Sequence, residues 1–176
     1  GHCAPGLYSA LALKGFFPFE DLKTLRHIGS YLQGHPNMNT VPGIDMSTGS
    51  LGQGISAAAG MAKGAKYLDK DINVYTLLGD GEIEEGQVWE AMMFASQYKL
   101  DNLCVIVDVN GLQIDGKCED VMNAEPIDKK MEAFGLNVIK INGNDFDELE
   151  KAFNAFHENI GSGKPFGIIM KTVKGL

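Results

Sequence analysis

The sequence predicts an α/β domain, a mostly parallel sheet with helices packed on both faces. Three observations predict it. Short β-rich apolar runs alternate along the chain with segments of helical period. The run at residues 103–107 is almost purely apolar, as a strand covered on both faces must be. Glycine, at 22 residues, concentrates in the gaps: Gly49, Gly52 and Gly54, then Gly79 and Gly81, then Gly111 and Gly116.

Residues 72–78 form the first predicted strand, which runs into Gly79-Asp80-Gly81. Residues 84–98 read as a helix with Val88, Ala91, Met92 and Ala95 on one face. The strand at 103–107 comes next, then a polar loop, a helix over 127–134 and a strand over 137–141. Residues 145–159 carry the clearest helical signal. There Phe146, Leu149, Phe153, Phe156 and Ile160 recur at three- and four-residue steps and fall on one stripe. Asn144 is the expected N-cap and Gly161 the expected stop. Residues 166–173 make the last strand. His27 and His157 lie in helical contexts and receive no function.

Strands alternating with helices close a parallel sheet, and such sheets bind ligands beyond the carboxyl ends of their strands. Asp80 and Asn110 each directly follow a predicted strand, so both belong to that rim.

Composition bounds the function. A chain of 176 residues, 44% hydrophobic and 22% charged, is a globular domain with a substantial core, read here as one domain over 1–176. No apolar run approaches the roughly 20 residues of a membrane span. No secretory or transit peptide is visible, and the chain opens at Gly1 without an initiator Met. The net charge of −8 argues against a nucleic-acid partner. It also makes an anionic ligand costly unless a cation or aimed backbone N–H groups offset the charge. Cys3, Cys104 and Cys118 are odd in number and form no CxxC pair, which predicts a reducing, cytoplasmic setting.

The chemistry centres on Asp80 and Asn110, thirty positions apart with one helix and one strand between them. A βαβ unit brings two such loops side by side. Asp80 offers a hard anionic oxygen and Asn110 a neutral one, and both suit Mg²⁺ or Ca²⁺. Gly81 lets the backbone approach closely, and the helix after it aims its N-terminus at a phosphate. Either tripeptide alone is a turn and nothing more. Their spacing and strand context together favour a metal–diphosphate site.

Gly79-Asp80-Gly81-Glu82, with Asp108-Val109-Asn110-Gly111 later in the chain, resembles the signature of thiamine diphosphate enzymes. Gly1-His2, Gly34-His35-Pro36 and Gly49-Ser50-Leu51-Gly52-Gln53-Gly54 stand in the order seen in transketolases. The stretch from Asn110 to Gly116, Asn-Gly-Leu-Gln-Ile-Asp-Gly, is similar to the family's segment just after its metal ligands. The resemblance covers nearly the whole chain and implies the three-layer thiamine diphosphate-binding fold.

By that resemblance Asp80, Asn110 and the carbonyl of Leu112 hold the metal, and the Gly81 N–H contacts the diphosphate, with Gly79 and Glu82 in the same cofactor loop. His2 and His35 are implied to lie near the diphosphate and the reacting carbon, as cofactor-binding and catalytic residues. Gly49 and the backbone of Leu51 are implied to contact the aminopyrimidine. Glu85 is implied to join a carboxylate network at a subunit interface, with Glu90 a weaker member. Read without the resemblance, Glu82, Glu84 and Glu85 are explained by the dipole at a helix start. Ser50 departs from the family, where many members carry Pro. Backbone contacts are expected to survive that change.

The family's cofactor-activating glutamate and sugar-phosphate contacts belong to a second domain of a neighbouring chain, and no segment here resembles it. The expectation is therefore an N-terminal part, truncated at both ends, that works with a transketolase C-terminal subunit in a homodimer or heterotetramer. Its implied reaction is transfer of a two-carbon ketol group between sugar phosphates. Deoxyxylulose-phosphate synthesis, 2-oxo acid decarboxylation and a non-catalytic diphosphate–Mg²⁺ binding role remain alternatives.

Overall fold

The computed structural model describes residues 2–114 and 116–175. The chain divides into two compact units, Gly1–Gly54 and Ile55–Leu176.

The first unit contains α1 (Ala4–Leu13), a 3-10 turn at Phe19–Thr24 and a run of loops. Its core gathers Ala4, Tyr8, Leu11 and Ala12 of the helix with Phe17, Leu32, Val41 and Ile44 of the loops. Loop backbone has no ladder of its own, so side chains hold it. The buried Tyr8 hydroxyl donates to the Gln33 carbonyl at 2.9 Å, and Tyr31 donates to Asp21 at 2.6 Å. Burial first, and then that Asp21 contact, push the Tyr31 phenol up to about 12.

The second unit is the expected α/β sandwich. After α2 (Gly54–Tyr67) come β1 (Val74–Gly79), α3 (Gly86–Gln97) and β2 (Leu103–Val109). A two-stranded hairpin of β3 (Leu112–Gln113) and β4 (Gly116–Lys117) is next. The chain then runs through α4 (Cys118–Val121), α5 (Ile127–Ala133), β5 (Asn137–Asn142), α6 (Phe146–Asn159) and β6 (Phe166–Lys171). The four long strands pair parallel in the order β1-β2-β6-β5.

The side chains of β2 alternate between two cores. Leu103, Val105 and Val107 pack with Ile55, Ala58 and Ala62 of α2, Val88 and Met92 of α3, and Met131 of α5. Cys104 and Ile106 face the other way, onto Ala152 and Phe156 of α6. Helices on both faces are what the nearly pure apolar run at 103–107 requires. The site rim is set by register. Gly79 pairs with Asp108, and Asp108 with Met170, so the carboxyl ends of β1, β2 and β6 lie side by side.

Four expectations need correction. The helix predicted from residue 84 does not run on from the Gly-Asp-Gly turn: a 3-10 turn occupies Glu82–Glu84, and Glu85 is extended (φ −66°, ψ 125°) before α3 starts. The N-cap of α6 is Asp145, not Asn144. The Asp145 carboxylate accepts from the Asp147 and Glu148 N–H groups, while Asn144 Oδ1 accepts from Val173 N–H at 3.1 Å. Of the apolar stripe of α6 only Phe156 is fully buried; Leu149 and Phe153 are half-buried, and Phe146, in the first turn, and Ile160, an extended residue past the last, are exposed. His27 sits in a loop after the 3-10 turn rather than in a helix, whereas His157 does belong to α6. Strand boundaries also shift. β1 starts at Val74 instead of 72, β2 runs on to Val109, and β6 stops at Lys171.

Candidate cofactor and metal site

The predicted residues of the second unit converge. Asp80 stands one residue beyond β1 and Asn110 one beyond β2. Asp80 is 4% exposed. Its Oδ2 accepts from Gly111 N–H at 2.6 Å and its Oδ1 from its neighbour Gly81 N–H at 3.0 Å. One carboxylate thus ties the two loops together. Asn110 Oδ1 accepts from Leu112 N–H at 3.0 Å, and its Nδ2 donates to Asp108 Oδ2 at 3.0 Å. Glu82 turns back to accept from Gly79 N–H at 3.1 Å. Glu85 and Glu90 are exposed, and Glu85 precedes the first residue of α3.

Among the described residues, neither Asp80 nor Asp108 forms an ion pair with a Lys, Arg or His side chain. Each Asp80 oxygen accepts one backbone N–H, and a carboxylate oxygen has a further lone pair to offer a cation. The available donors are all oxygens, and a hard cation prefers those. No group of three or more His, Cys, Asp or Glu side chains is arranged to hold a metal among the described residues. Of the expected ligands, the Asn110 amide oxygen lies one residue from Gly111, whose N–H the Asp80 carboxylate holds, and could serve a cation together with Asp80. The residues fit an Mg²⁺- or Ca²⁺-type ion.

Sequence reasoning missed three supports of this rim. Asp108 is held by the Thr172 hydroxyl as well as by Asn110. Gln113 Nε2 donates to Glu84 Oε1 at 2.8 Å, joining the β3 hairpin to the turn after Asp80. Cys118 is buried, its N–H donates to the Gly111 carbonyl at 3.0 Å, and its thiol borders Asp80. Burial, then the Asp80 carboxylate, push that thiol up to about 11. Asp108 was discoverable, since it shares a strand face with Asn110 two residues on. Thr172 and Cys118 arrive through long-range folding and leave no local signal.

The first unit brings His2 and His35 together, with ring centroids 5.1 Å apart and planes tilted by 45°. Both are exposed. Gly49 backs onto His35: a β-carbon there would lie 2.8 Å from Cγ of His35. Only a residue without a side chain fits that approach. Leu51 is exposed in the turn that leads to α2. Asp115, in the stretch after the expected metal ligands, and Gly1 lie outside the described residues.

The family model described as "Transketolase, thiamine diphosphate binding domain" matches residues 1–176. Over 175 residues the chain is 46% identical to a 6-deoxy-6-sulfo-D-fructose transketolase subunit from a Clostridium species, covering 99% of this chain and 63% of that protein. It is 43% identical to an apulose-4-phosphate transketolase subunit from Actinobacillus succinogenes, covering 99% of the chain and 62% of the relative. Human transketolase is 48% identical over 180 residues, which make up 27% of its length. The chain therefore spans less than two thirds of these curated relatives. Among solved structures, Campylobacter jejuni transketolase superposes with a TM-score of 0.84 at 38% identity, over 94% of this chain and 27% of the other.

Proposed function

This chain belongs to the transketolase family, as its thiamine diphosphate-binding domain, and from that premise we propose that it is the metal- and diphosphate-binding part of a transketolase. Its reaction is transfer of a two-carbon ketol group between sugar phosphates. The observation that supports this most is the joined pair of loops, with the buried Asp80 carboxylate accepting from Gly111 N–H at 2.6 Å beside the Asn110 amide. That arrangement calls for a hard cation between a net-negative protein and an anionic cofactor.

Asp80, Asn110 and the Leu112 carbonyl would hold Mg²⁺, and the backbone around Gly79, Gly81 and Glu82 would face the diphosphate. When bound, thiamine diphosphate supplies carbanion stabilisation, which is the cofactor's own chemistry. The chain's part is to bind, orient and move protons. Gly49 and the Leu51 backbone would receive the aminopyrimidine. His2 and His35, already a pair, would hold and exchange protons at the substrate oxygens. Glu85 would meet carboxylates of a partner.

The relatives named as subunits support a partner, a complementary chain with the remaining domains, in a homodimer or heterotetramer. Their names also point to donors that are ketoses with a terminal anionic group, sulfonate or phosphate. A cytoplasmic setting agrees with the free thiols of Cys3, Cys104 and Cys118. No helix among the described residues is long and apolar enough to cross a membrane.

The test is ketol transfer between sugar phosphates after mixing with the complementary chain, set beside pyruvate turnover. Transfer with little pyruvate consumption is the expected result. Pyruvate turnover alone would move the protein to the decarboxylase or deoxyxylulose-phosphate class. Neither activity would leave the non-catalytic binding role.

A further inference from the structure

The end of β6 contributes to the rim without touching the proposed metal ligands directly. The Thr172 hydroxyl donates to Asp108 Oδ1, and Thr172 N–H donates to the Val109 carbonyl at 3.1 Å. The other oxygen of Asp108 accepts from Asn110 Nδ2 at 3.0 Å. An ionised carboxylate can only accept hydrogen bonds, so it selects the NH₂ end of the Asn110 amide. That choice leaves Oδ1 of Asn110 as the end facing the loop, where it accepts from Leu112 N–H at 3.0 Å.

Thr172 is itself oriented by the turn after β5. A β-carbon on Gly143 would fall 2.6 Å from the Thr172 methyl and 2.9 Å from Cβ of Met170. Gly143 N–H donates to the Lys171 carbonyl at 2.8 Å. The methyl is therefore packed against bare backbone, and the hydroxyl is left to Asp108.

The geometry points to Thr172 and Asp108 as positioning residues that fix the orientation of the Asn110 amide and thereby present its oxygen to the metal. The inference rests on the metal-site reading above. Two strand ends act in series: Thr172, just past β6, holds Asp108, and Asp108, near the end of β2, fixes the Asn110 amide with its oxygen on the Leu112 side. The Thr172 hydroxyl reaches Asp108 rather than Asn110, so its contribution is to the direction of one acceptor atom.

The test is Mn²⁺ titration, monitored by loss of the free-ion paramagnetic resonance signal, with and without thiamine diphosphate. It uses the protein assembled with its complementary chain. Thr172→Val keeps the packed methyl and removes the hydroxyl. It should weaken Mn²⁺ binding on the order of 10- to 100-fold, as loss of a ligand-orienting partner does. Thr172→Ser keeps the hydroxyl and should restore most of the affinity. Thermal unfolding in EDTA should be nearly the same for the two variants, which separates orientation from general destabilisation. Wild-type uptake with unchanged affinity in Thr172→Val would overturn the relay alone, as would a Ser variant no better than Val. A wild-type protein that takes up no Mn²⁺ under either condition would overturn the metal site and the relay with it.

Discussion

His35 shows how closely single atoms constrain one another here. Its ring lies against Gly49 so tightly that one added methyl would come within 2.8 Å of Cγ. Gly49→Ala must therefore push the imidazole aside or move the loop. We expect it to slow turnover of the assembled enzyme about as much as His35→Ala does, roughly 10²- to 10⁴-fold, the usual worth of a positioned acid–base group. Cofactor affinity should persist in His35→Ala. Steady-state kinetics of both variants check this, and full-speed turnover in either would remove the pair from the mechanism.

Cys104 makes a different residue-level point. Its thiol is wholly buried against α6, and burial pushes it up to about 12. The folded thiol then keeps its proton where the unfolded one, near 9, loses it. Stability from this group is complete below about 9 and falls as pH rises toward 12. Cys104→Ala should flatten the alkaline decline measured by urea unfolding between about pH 8 and about pH 11. An identical slope in wild type and variant would contradict the assignment.

Among elements, the sheet is pinned at the end opposite the site. Asp101, at the start of β2, is buried, and its Oδ2 accepts from Gly161 N–H at 3.0 Å and Gly163 N–H at 2.9 Å. Its Oδ1 lies 2.5 Å from Lys66 of α2. Burial alone would raise this carboxyl, but Lys66 and the two amides outweigh it and hold it below 3.8. Its stabilisation is present above that value and is lost as pH falls through the lowered one. Asp101→Ala leaves two amides unpaired and should cost about 2 kcal/mol, while flattening the acid limb of the stability curve. Chemical denaturation at pH 7 and pH 3 checks both parts. A variant as stable as wild type would show that the turn after α6 holds itself.

Elements with long apolar side chains were legible in the sequence, and those built on small ones were not. α2 buries Ile55, Ala58, Ala59, Ala62 and Ala65, a helical spacing hidden because alanine and glycine carry little hydrophobic signal. α1 fails for another reason: its apolar residues, Leu7, Leu11 and Leu13 among them, fall all round the helix, so no single face stands out. The α6 cap was misplaced by one residue because Asn144 and Asp145 are both good caps, and only tertiary structure gives Asn144 its other task at Val173. The two loop motifs located Asp80 and Asn110 correctly at the rim. Of the residues around them, Asp108 was readable two positions before Asn110, whereas Thr172 reaches it only through the pairing of β2 with β6.

For the whole molecule, charge and exposed apolar surface point the same way. A net charge of −8 disfavours an anionic diphosphate, so the proposed site is expected to bind the cofactor together with a cation. Exposed Met93, Phe94 and Tyr98 at α3 and its C-terminal end, with the Phe94 and Tyr98 rings 4.5 Å apart, give the chain the apolar surface expected of a protein that works in an assembly. The decisive measurement is calorimetric titration of thiamine diphosphate with Mg²⁺ and with EDTA, for the wild type and Asp80→Ala, each with the complementary chain present. The account predicts binding in the wild type that requires Mg²⁺ and is lost in the variant. Equal affinity in EDTA, or an Asp80→Ala protein that binds as tightly as wild type, would contradict it.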